Sequence, residues 1–424
     1  MRIAFATLGC KINQFETDTL QQDLLHRGNT VVSFDAEADV YVINTCSVTA
    51  KSDTQCRQLI RSAVRRGKGA NVVVTGCYAE MRPDEIRKIP GVGVVIGNRD
   101  KTLISDHIMS KAFTGERDSP PASKSVLNAL HTRTRGFLKI QDGCDNRCSY
   151  CIVPFARGGS RSAKLGDVLH EFKCLVDRGC PEVVLTGVHI GKYGSDLEQG
   201  SSLTNLLQML VQSRGGTRIR LSSIEPNEIT REMINYLGEG LCRHLHIPLQ
   251  SGDDAILTSM KRSYTSRFYE DLLEHIAKQV PGIALGADII VGYPGEGDKE
   301  FQNTMRIVER SPLTHLHVFS YSPRPGTPAA EMKDQVPEQI KKERSASLRV
   351  LGMKKNLLFR KMHQGSKLNV IVEDKYDRDT GLLTGLTDNY IRVMIYGAKT
   401  SDIGKKITIR INEVKEQGNF GSIL

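Results

Sequence analysis

Three cysteines in one eight-residue run, Cys144, Cys148 and Cys151 in CDNRCSYC, constrain this chain more than any other feature. The C-x3-C-x2-C spacing delivers three thiolates from a single loop. A 4Fe-4S cube held by three cysteines keeps one iron without a protein ligand, and that iron is free to bind a small molecule. S-adenosylmethionine chelates such an iron through its amino and carboxylate groups. The reduced cube then splits the sulfonium bond to give a 5′-deoxyadenosyl radical, with the cofactor carrying the chemistry and the protein positioning it. The competing reading is a structural zinc knuckle, which pairs C-x2-C with a second distant pair and closes all four positions.

Ten cysteines in 424 residues are too sparse for a disulfide scaffold. They point to metal or cluster ligation in a reducing compartment, the cytoplasm. Cys56, Cys174, Cys180 and Cys242 lie in helix-like or strand-flanking positions and read as buried small apolar residues. The start MRIAFATLGC has no signal-peptide core, and no apolar stretch reaches membrane-spanning length. A net charge of +10 permits an anionic partner such as RNA without requiring one.

The length allows two or three domains. Residues 1–98 alternate β-rich runs (RIAFATL, DVYVINT, NVVVTG, VGVVIG) with amphipathic stretches, the pattern of a parallel α/β sheet. Residues 100–132, with Pro120–Pro121 and several serines, read as an irregular connector. From Phe137 a second α/β series runs through GFLKI, EVVLTG, RIRLSS, HLHIPL, ALGADIIVG and LHVFSY. Six β/α units in a row predict a partial (β/α)6 TIM-like barrel with its site at the carboxyl ends of the strands, where the three-cysteine loop falls. PRPGTP, from Pro323 to Pro328, ends that series, and a basic helix EQIKKERSASLRVLGMKKNLLFRKMHQ follows. The tail from Lys367 to Leu424 carries LNVIVE, GLLTGL, YIRVMI and KKITIRI, which predict a small antiparallel β-barrel.

Cys10, Cys46 and Cys77 are far apart in sequence, yet each directly follows a predicted strand. The carboxyl ends of adjacent parallel strands share one edge, where ligands bind, so three thiolates would converge there without a local motif. Gly9 and Gly76 let the backbone bend close to a cluster. This second trio predicts a second cluster with one open iron, against the alternative of three unrelated core cysteines.

Both trios together resemble the methylthiotransferase family of radical S-adenosylmethionine enzymes. The phrases that carry the resemblance are TLGCKINQFETD, VINTCSVT, VTGCYAE, KIQDGCDNRCSYCIVPFARG, LTGVHIGKYG, RLSSIEP, HIPLQSG, MKRSYT, ADIIVGYPGE and FSYSPRPGTPA. It covers nearly the whole chain in order. It implies an N-terminal cluster domain over residues 1–112, a radical partial barrel over 130–360 and a TRAM-type RNA-binding barrel over 361–424. TLGCKINQFET is most similar to the branch acting on N6-threonylcarbamoyladenosine at tRNA position 37. The isopentenyladenosine branch tends to read YGCQMN there and the ribosomal-protein aspartate branch LGCPKN. RGGSRS after Phe155 departs from the isopentenyl branch, which usually carries a Glu.

The resemblance implies two 4Fe-4S clusters and S-adenosylmethionine. Cys144, Cys148 and Cys151 would hold the radical cluster, and Cys10, Cys46 and Cys77 an auxiliary cluster presenting sulfur. The radical would remove hydrogen from adenine C2 and sulfur would join that carbon. An aromatic C–H has no acidic proton at neutral pH, so no general base could start the reaction. The implied partners are a tRNA anticodon stem-loop and a low-potential electron donor, with no membrane and no stable protein partner. Methylthiolation of isopentenyladenosine-37 or of a ribosomal-protein aspartate, and a non-enzymatic iron–sulfur RNA-binding sensor, are the alternatives.

Supporting residues follow from position. Tyr150 lies between two cluster cysteines, Gly187 follows a strand, and Ser223 and Glu225 end RIRLSS and its extension. Gln250 ends HIPLQ, and Asp288 lies within ALGADIIVG. Inward polar residues on barrel strands are costly to bury without partners, which favours Ser223, Glu225, Gln250 and Asp288 as cofactor contacts over mutual hydrogen bonding inside the barrel. The resemblance implies an aromatic, Tyr150, near the adenine of the cofactor, and Gly187 would let its methionine amine approach the backbone. Arg157 and Arg161 follow the cluster loop and suit a phosphate or carboxylate, and Arg57, Arg61 and Arg65 share one helical face near Cys46. Lys341, Lys342, Arg344, Arg349, Lys354, Lys355, Arg360 and Lys361 make the basic helix an RNA contact by charge. His244 and His246 alternate along HLHI and read as barrel packing ahead of a metal pair.

Overall fold

The computed structural model describes every residue except 68, 113–133 and 198–200. The first sheet contains β1 (Arg2–Thr7), β2 (Thr30–Val32), β3 (Val40–Thr45), β4 (Asn71–Gly76) and β5 (Val94–Val95), ordered β2-β1-β3-β4-β5. All its pairings are parallel. Every residue of β3 is buried, because helices cover both faces, and that is why its sequence reads as one apolar run. On one face Ile3, Val42 and Val73 meet Leu24, Ile104 and Ile108; on the other Tyr41, Ile43 and Val74 meet Cys56, Ile60 and Ala63. Strand order reverses between β1 and β3, a topological switch whose carboxyl edge forms a crevice.

Two expectations need correction here. TVV at β2 lay outside the predicted runs; it is a three-residue edge strand, too short to show alternation. The supposed irregular connector begins with a 3-10 turn, Lys101–Leu103, and a helix, Ile104–Ala112, whose apolar side completes the sheet's cover. The rest of that connector, with Pro120–Pro121, falls on residues 113–133, outside the described residues.

The second α/β series provides β6 (Gly136–Lys139), a short antiparallel pair β7 (Gln141–Asp142) and β8 (Arg161–Ser162), β9 (Glu182–Thr186), β10 (Arg218–Leu221), β11 (His244–His246), β12 (Ala284–Val291) and β13 (His315–Ser320). Six of these strands form two three-stranded parallel sheets, β10-β9-β6 and β11-β12-β13. The sheets meet through a parallel bridge from Ile219 of β10 to Leu241, just before β11, and the Ile224 amide donates to the His246 carbonyl at 3.0 Å. One hydrophobic core runs behind both, including Leu185, Ile219, Leu245 and Leu285. This is the expected partial barrel, with its ladder thinned at the middle.

A 25-residue helix, Glu338–Met362, leads to a closed barrel of β14 (Lys367–Tyr376), β15 (Leu383–Thr387), β16 (Arg392–Tyr396), β17 (Lys406–Val414) and β18 (Asn419–Ile423). The fifth strand, NFGSI, was not among the predicted runs. It pairs parallel with β16 and antiparallel with β17 and so closes the barrel. The closed barrel docks on the amino ends of the larger barrel's strands. Arg218 donates to the Leu386 carbonyl at 2.9 Å, and Arg220 to the Thr387 and Asp388 carbonyls at 3.0 Å. Tyr390 stacks on His244 with centroids 4.2 Å apart. Glu182 lies fully buried beneath; burial opposes its charge, but Arg220, Arg218 and Arg135 outweigh this and hold its pKa at about 2.

The basic helix is less available than its composition suggests. Lys341 and Arg344 are buried, the first paired with Glu338 at 2.7 Å and the second with Glu296 at 2.7 Å and Asp298 at 2.9 Å. Lys355 donates to the carbonyls of Glu309 and Ser311, Arg349 to that of Val318, and Arg360 to that of Lys415. Lys342, Lys354 and Lys361 are exposed. Among the described residues no helix is long and apolar enough to cross a membrane.

Candidate active site

Cys46 directly follows β3, Cys77 directly follows β4, and Cys10 comes three residues after β1. Gly9 has φ +102°, and a Cβ there would lie 2.8 Å from the Cys46 Cβ and 2.9 Å from its Sγ. Gly76 has φ +98°, and a Cβ there would strike the Thr45 carbonyl oxygen at 2.3 Å. Only glycine permits both the left-handed turn and the close approach at these two points. The thiols are near enough to act on one another. Burial chiefly raises the Cys46 pKa to about 11, and the charges of Cys77 and Cys10 add to it. Burial also raises Cys77, again with a contribution from Cys10.

The second trio is held from several sides. The Cys144 amide donates to the Gly158 carbonyl and the Cys151 amide to the Cys148 carbonyl, both at 3.0 Å. Between them the Ser149 hydroxyl donates to the Ser259 carbonyl at 2.8 Å and lies 2.7 Å from the Tyr293 hydroxyl. Arg262 donates to Cys148 Sγ at 3.3 Å and pairs with Glu225. His189 Nδ1 stands 3.5 Å from Cys144 Sγ, and its Nε2 stands 2.8 Å from Glu228. Burial disfavours charge on His189, but Cys144 and Glu228 outweigh it and lift its pKa to about 9. Burial, with Cys148 and Cys144 adding, pushes Cys151 up to about 12. Crowded thiols of this kind, with Cys148 buried and Cys144 and Cys151 partly so, fit a bound metal cluster, because the metal supplies the positive charge that lets them ionise together.

A cavity of about 230 Å³ lies beside Cys151 and reaches the segment just beyond Cys46. The larger barrel contributes Tyr150, Cys151, Gln250, Asp288 and Tyr321; the first sheet contributes Val48 and Thr49, just beyond Cys46. The segment around each strand-end cysteine is tied to the barrel mouth. Near Cys10, Asn13 and Glu16 receive Arg157 at 2.6 and 2.9 Å. Near Cys46, Ser47 and Asp53 receive Arg324. Near Cys77, Asn98 donates to the Ala156 carbonyl at 2.8 Å and approaches Cys77 Sγ at 3.6 Å. Glu16 also meets Lys101 at 2.5 Å and Lys139 at 3.0 Å. Burial opposes its charge, but these cations with Arg157 hold its carboxyl well below the usual range.

The sequence profiles of three families fall on the three units. Residues 2–97 match the uncharacterized protein family UPF0004, 138–308 the radical SAM superfamily and 361–424 the TRAM domain. The threonylcarbamoyladenosine tRNA methylthiotransferase MtaB of Bacillus subtilis is 39% identical over 100% of this chain and 96% of its own. MtaB of Aquifex aeolicus is 38% identical over 97% and 100%. The tRNA-2-methylthio-N(6)-dimethylallyladenosine synthase of Fervidobacterium nodosum is 32% identical over 100% and 99%. This chain belongs to the radical S-adenosylmethionine methylthiotransferases. Among solved structures, the radical S-adenosylmethionine methyltransferase TsrM of Kitasatospora setae shares the fold, with TM-score 0.57 and 16% identity over 78% of this chain and 77% of that one. The cofactors of this methylthiotransferase are S-adenosylmethionine and 4Fe-4S clusters.

Several residues singled out from sequence meet at the methylthiotransferase cavity. Tyr150, Gln250 and Asp288 line it. Gln250 has a left-handed backbone, φ 63°, and its amide donates to the Asp288 carbonyl at 2.8 Å. Glu225 is held by Arg262, and Ser223 is exposed. Gly187 leaves room for Ile190 and Gln141, whose atoms a Cβ would meet at 2.8 and 3.1 Å. Arg157 departs from the expected RNA contact: it is 5% exposed, and its guanidinium is engaged by Glu16, Asn13 and Asp142. Arg57 is occupied by Tyr78, Glu85 and Thr54. Arg61 and Lys354 remain on the surface, as does Arg161, and Lys355 is used internally. Of the four spare cysteines, Cys56 and Cys242 are buried, but Cys174 and Cys180 are only partly so.

Sequence reasoning missed Glu16, Asn13, Asp53, Asn98, His189, Arg262 and Arg324. A signal existed for the first two, since positions 13 and 16 share one helix face just beyond Cys10. The others become partners only once distant segments pack.

Proposed function

We propose that this protein installs a methylthio group at C2 of N6-threonylcarbamoyladenosine-37 in the anticodon stem-loop of tRNA. Two relatives that carry this activity in their names match 100% and 97% of the chain at 39% and 38% identity, against 32% for the dimethylallyladenosine synthase. The observation that supports the reading most directly is the tie between the segments beyond Cys10, Cys46 and Cys77 and the mouth of the barrel that carries Cys144, Cys148 and Cys151, with a cavity beside Cys151 walled by residues of both domains.

Cys144, Cys148 and Cys151 would hold the radical cluster, and Cys10, Cys46 and Cys77 the auxiliary one. When bound, these clusters and S-adenosylmethionine supply a radical that removes an aromatic hydrogen and a sulfur that replaces it. The chain's own contribution is position. Arg262 and His189 bond to Cys148 and Cys144 and orient that loop. Arg157, Arg324 and Asn98 fix the strand-end segments against the barrel mouth. Tyr150, Gln250 and Asp288 line the space for cofactor and base. The target base must leave the anticodon-loop stack to enter. Among the exposed cations, Arg61, Arg161 and Lys354 would meet phosphates, and a low-potential electron donor would complete the system.

Mass spectrometry of tRNA nucleosides from a deletion strain tests the substrate. Loss of 2-methylthio-N6-threonylcarbamoyladenosine, restored by the wild-type gene, is expected. If that nucleoside persists while the methylthiolated isopentenyladenosine or ribosomal peptide disappears, the substrate assignment is wrong.

A further inference from the structure

We propose that His246, Asp288 and His317 form a site for one divalent transition-metal ion of the zinc or ferrous class, separate from the six cluster cysteines. The three residues come from adjacent parallel strands, β11, β12 and β13. They point into the barrel lumen, because the alternating neighbours Leu245, Ala287 and Val318 belong to the core behind the sheet. His246 Nε2 lies 2.9 Å from Asp288 Oδ1, and His317 Nδ1 lies 3.3 Å from the same oxygen. All three ligand atoms fall within 4.8 Å of one another. Ligands bonded to zinc at about 2.0–2.1 Å and spread at tetrahedral angles stand about 3.4 Å apart. The side chains are therefore already near the spacing that an ion requires.

A second observation points the same way. His246 is only 9% exposed, and its Nε2, 2.9 Å from Asp288 Oδ1, is not aligned as a hydrogen bond to it. A buried polar atom without a well-formed hydrogen bond is accounted for by an ion bound between the two groups. The ring is held in place: a Cβ on Gly286 would lie 2.7 Å from His246 Nδ1, so the imidazole sits against a strand that only glycine leaves open. The His246 and His317 rings stand 4.8 Å apart at 30°.

Two imidazoles and one carboxylate are a donor set of zinc and non-haem iron centres, and they leave coordination positions open. Asp288 also borders the cavity beside Cys151, so the site opens toward the space proposed above for cofactor and base. The inference rests on these three side chains and does not depend on which nucleoside is the substrate.

Anaerobically reconstituted full-length protein, equilibrated with one equivalent of zinc chloride and desalted, provides the test. Metal in excess of acid-labile sulfide is counted for wild type, Asp288→Asn and His317→Ala. Wild type should retain one more metal ion per chain than either variant, while iron and sulfide of the clusters stay equal in all three. The His317 side chain is 60% exposed, so its truncation spares the fold, and the unchanged cluster content reports that directly. Equal metal content in wild type and His317→Ala would overturn the site and leave a hydrogen-bonded trio.

Discussion

The larger barrel is joined to its neighbours at both ends, and the two seams use arginine differently. At the carboxyl edge Arg157 and Arg324 pair with the side chains of Glu16 and Asp53, each a few residues beyond a strand-end cysteine. At the amino edge Arg218 and Arg220 donate to backbone carbonyls of the TRAM barrel while sharing the buried Glu182. The first seam holds the strand-end cysteine segments against the barrel mouth. The second neutralises a carboxylate that would otherwise be stranded in the barrel. Substitutions at the first should therefore disturb coupling between the two trios, and substitutions at the second should disturb stability.

The largest effect belongs to the thiols. Cys148→Ala should abolish both S-adenosylmethionine cleavage and methylthiolation, whereas Cys10→Ala should lose sulfur insertion and keep part of the cleavage. Quantifying 5′-deoxyadenosine beside the modified nucleoside separates the two outcomes. Methylthiolation that survives Cys10→Ala would remove the auxiliary trio from the mechanism.

At the amino seam, Arg220→Met leaves Glu182 short of its closest cation. Breaking a buried pair in this way costs about 3–5 kcal/mol, seen as an earlier denaturant midpoint, with the cleavage rate per folded molecule unchanged. At the carboxyl seam, Arg157→Ala should lower methylthiolation by up to about a hundredfold, the penalty for roughly 1 Å of misplacement. Deoxyadenosine formation should persist, so the ratio of deoxyadenosine to product rises. If both arginine variants lowered the two products equally, the functional distinction between the seams would fail.

Acid should act on the seams in sequence. Burial first, then Arg220, holds the His244 pKa well below its ordinary value, and burial with His246 and His317 lowers His315 to about 4. Groups with depressed folded pKa values of this kind contribute stability above about pH 6.5 that drains as the pH falls toward 4. Glu16, also depressed but acidic, contributes above about pH 4.5 and loses its share only below that. Hydrogen exchange at pH 5, corrected for intrinsic rates, should show the Tyr390 loop deprotected and the helix Lys11–His26 still protected. The smallest effect is at the surface: Arg161→Ala should weaken tRNA binding a few-fold and reduce the slope of log affinity against log salt by about one.

The strands bearing cysteines were legible because β3 and β4 are continuous apolar runs ending at Cys46 and Cys77. The larger barrel was legible for the same reason, while β2 is an edge strand cut short by Ser33 and β18, NFGSI, breaks its apolar residues with Gly421 and Ser422. Charge was the least legible property. Arg157 follows the cluster loop in sequence and looked free for phosphate, yet Glu16, 141 positions earlier, takes it. Lys341 and Arg344 looked like an RNA-binding face until Glu338, Glu296 and Asp298 are seen beside them.

Covalent spacing alone dictated the loop trio, and strand direction alone brought Cys10, Cys46 and Cys77 to one edge, because both follow from local geometry along the chain. Which edge faces which, how the cavity is bounded, and which of the many cations remain available to an anion were settled by domain packing. Ion pairs depend on distance through space, and residues more than a hundred positions apart acquire that distance only when the domains close on one another.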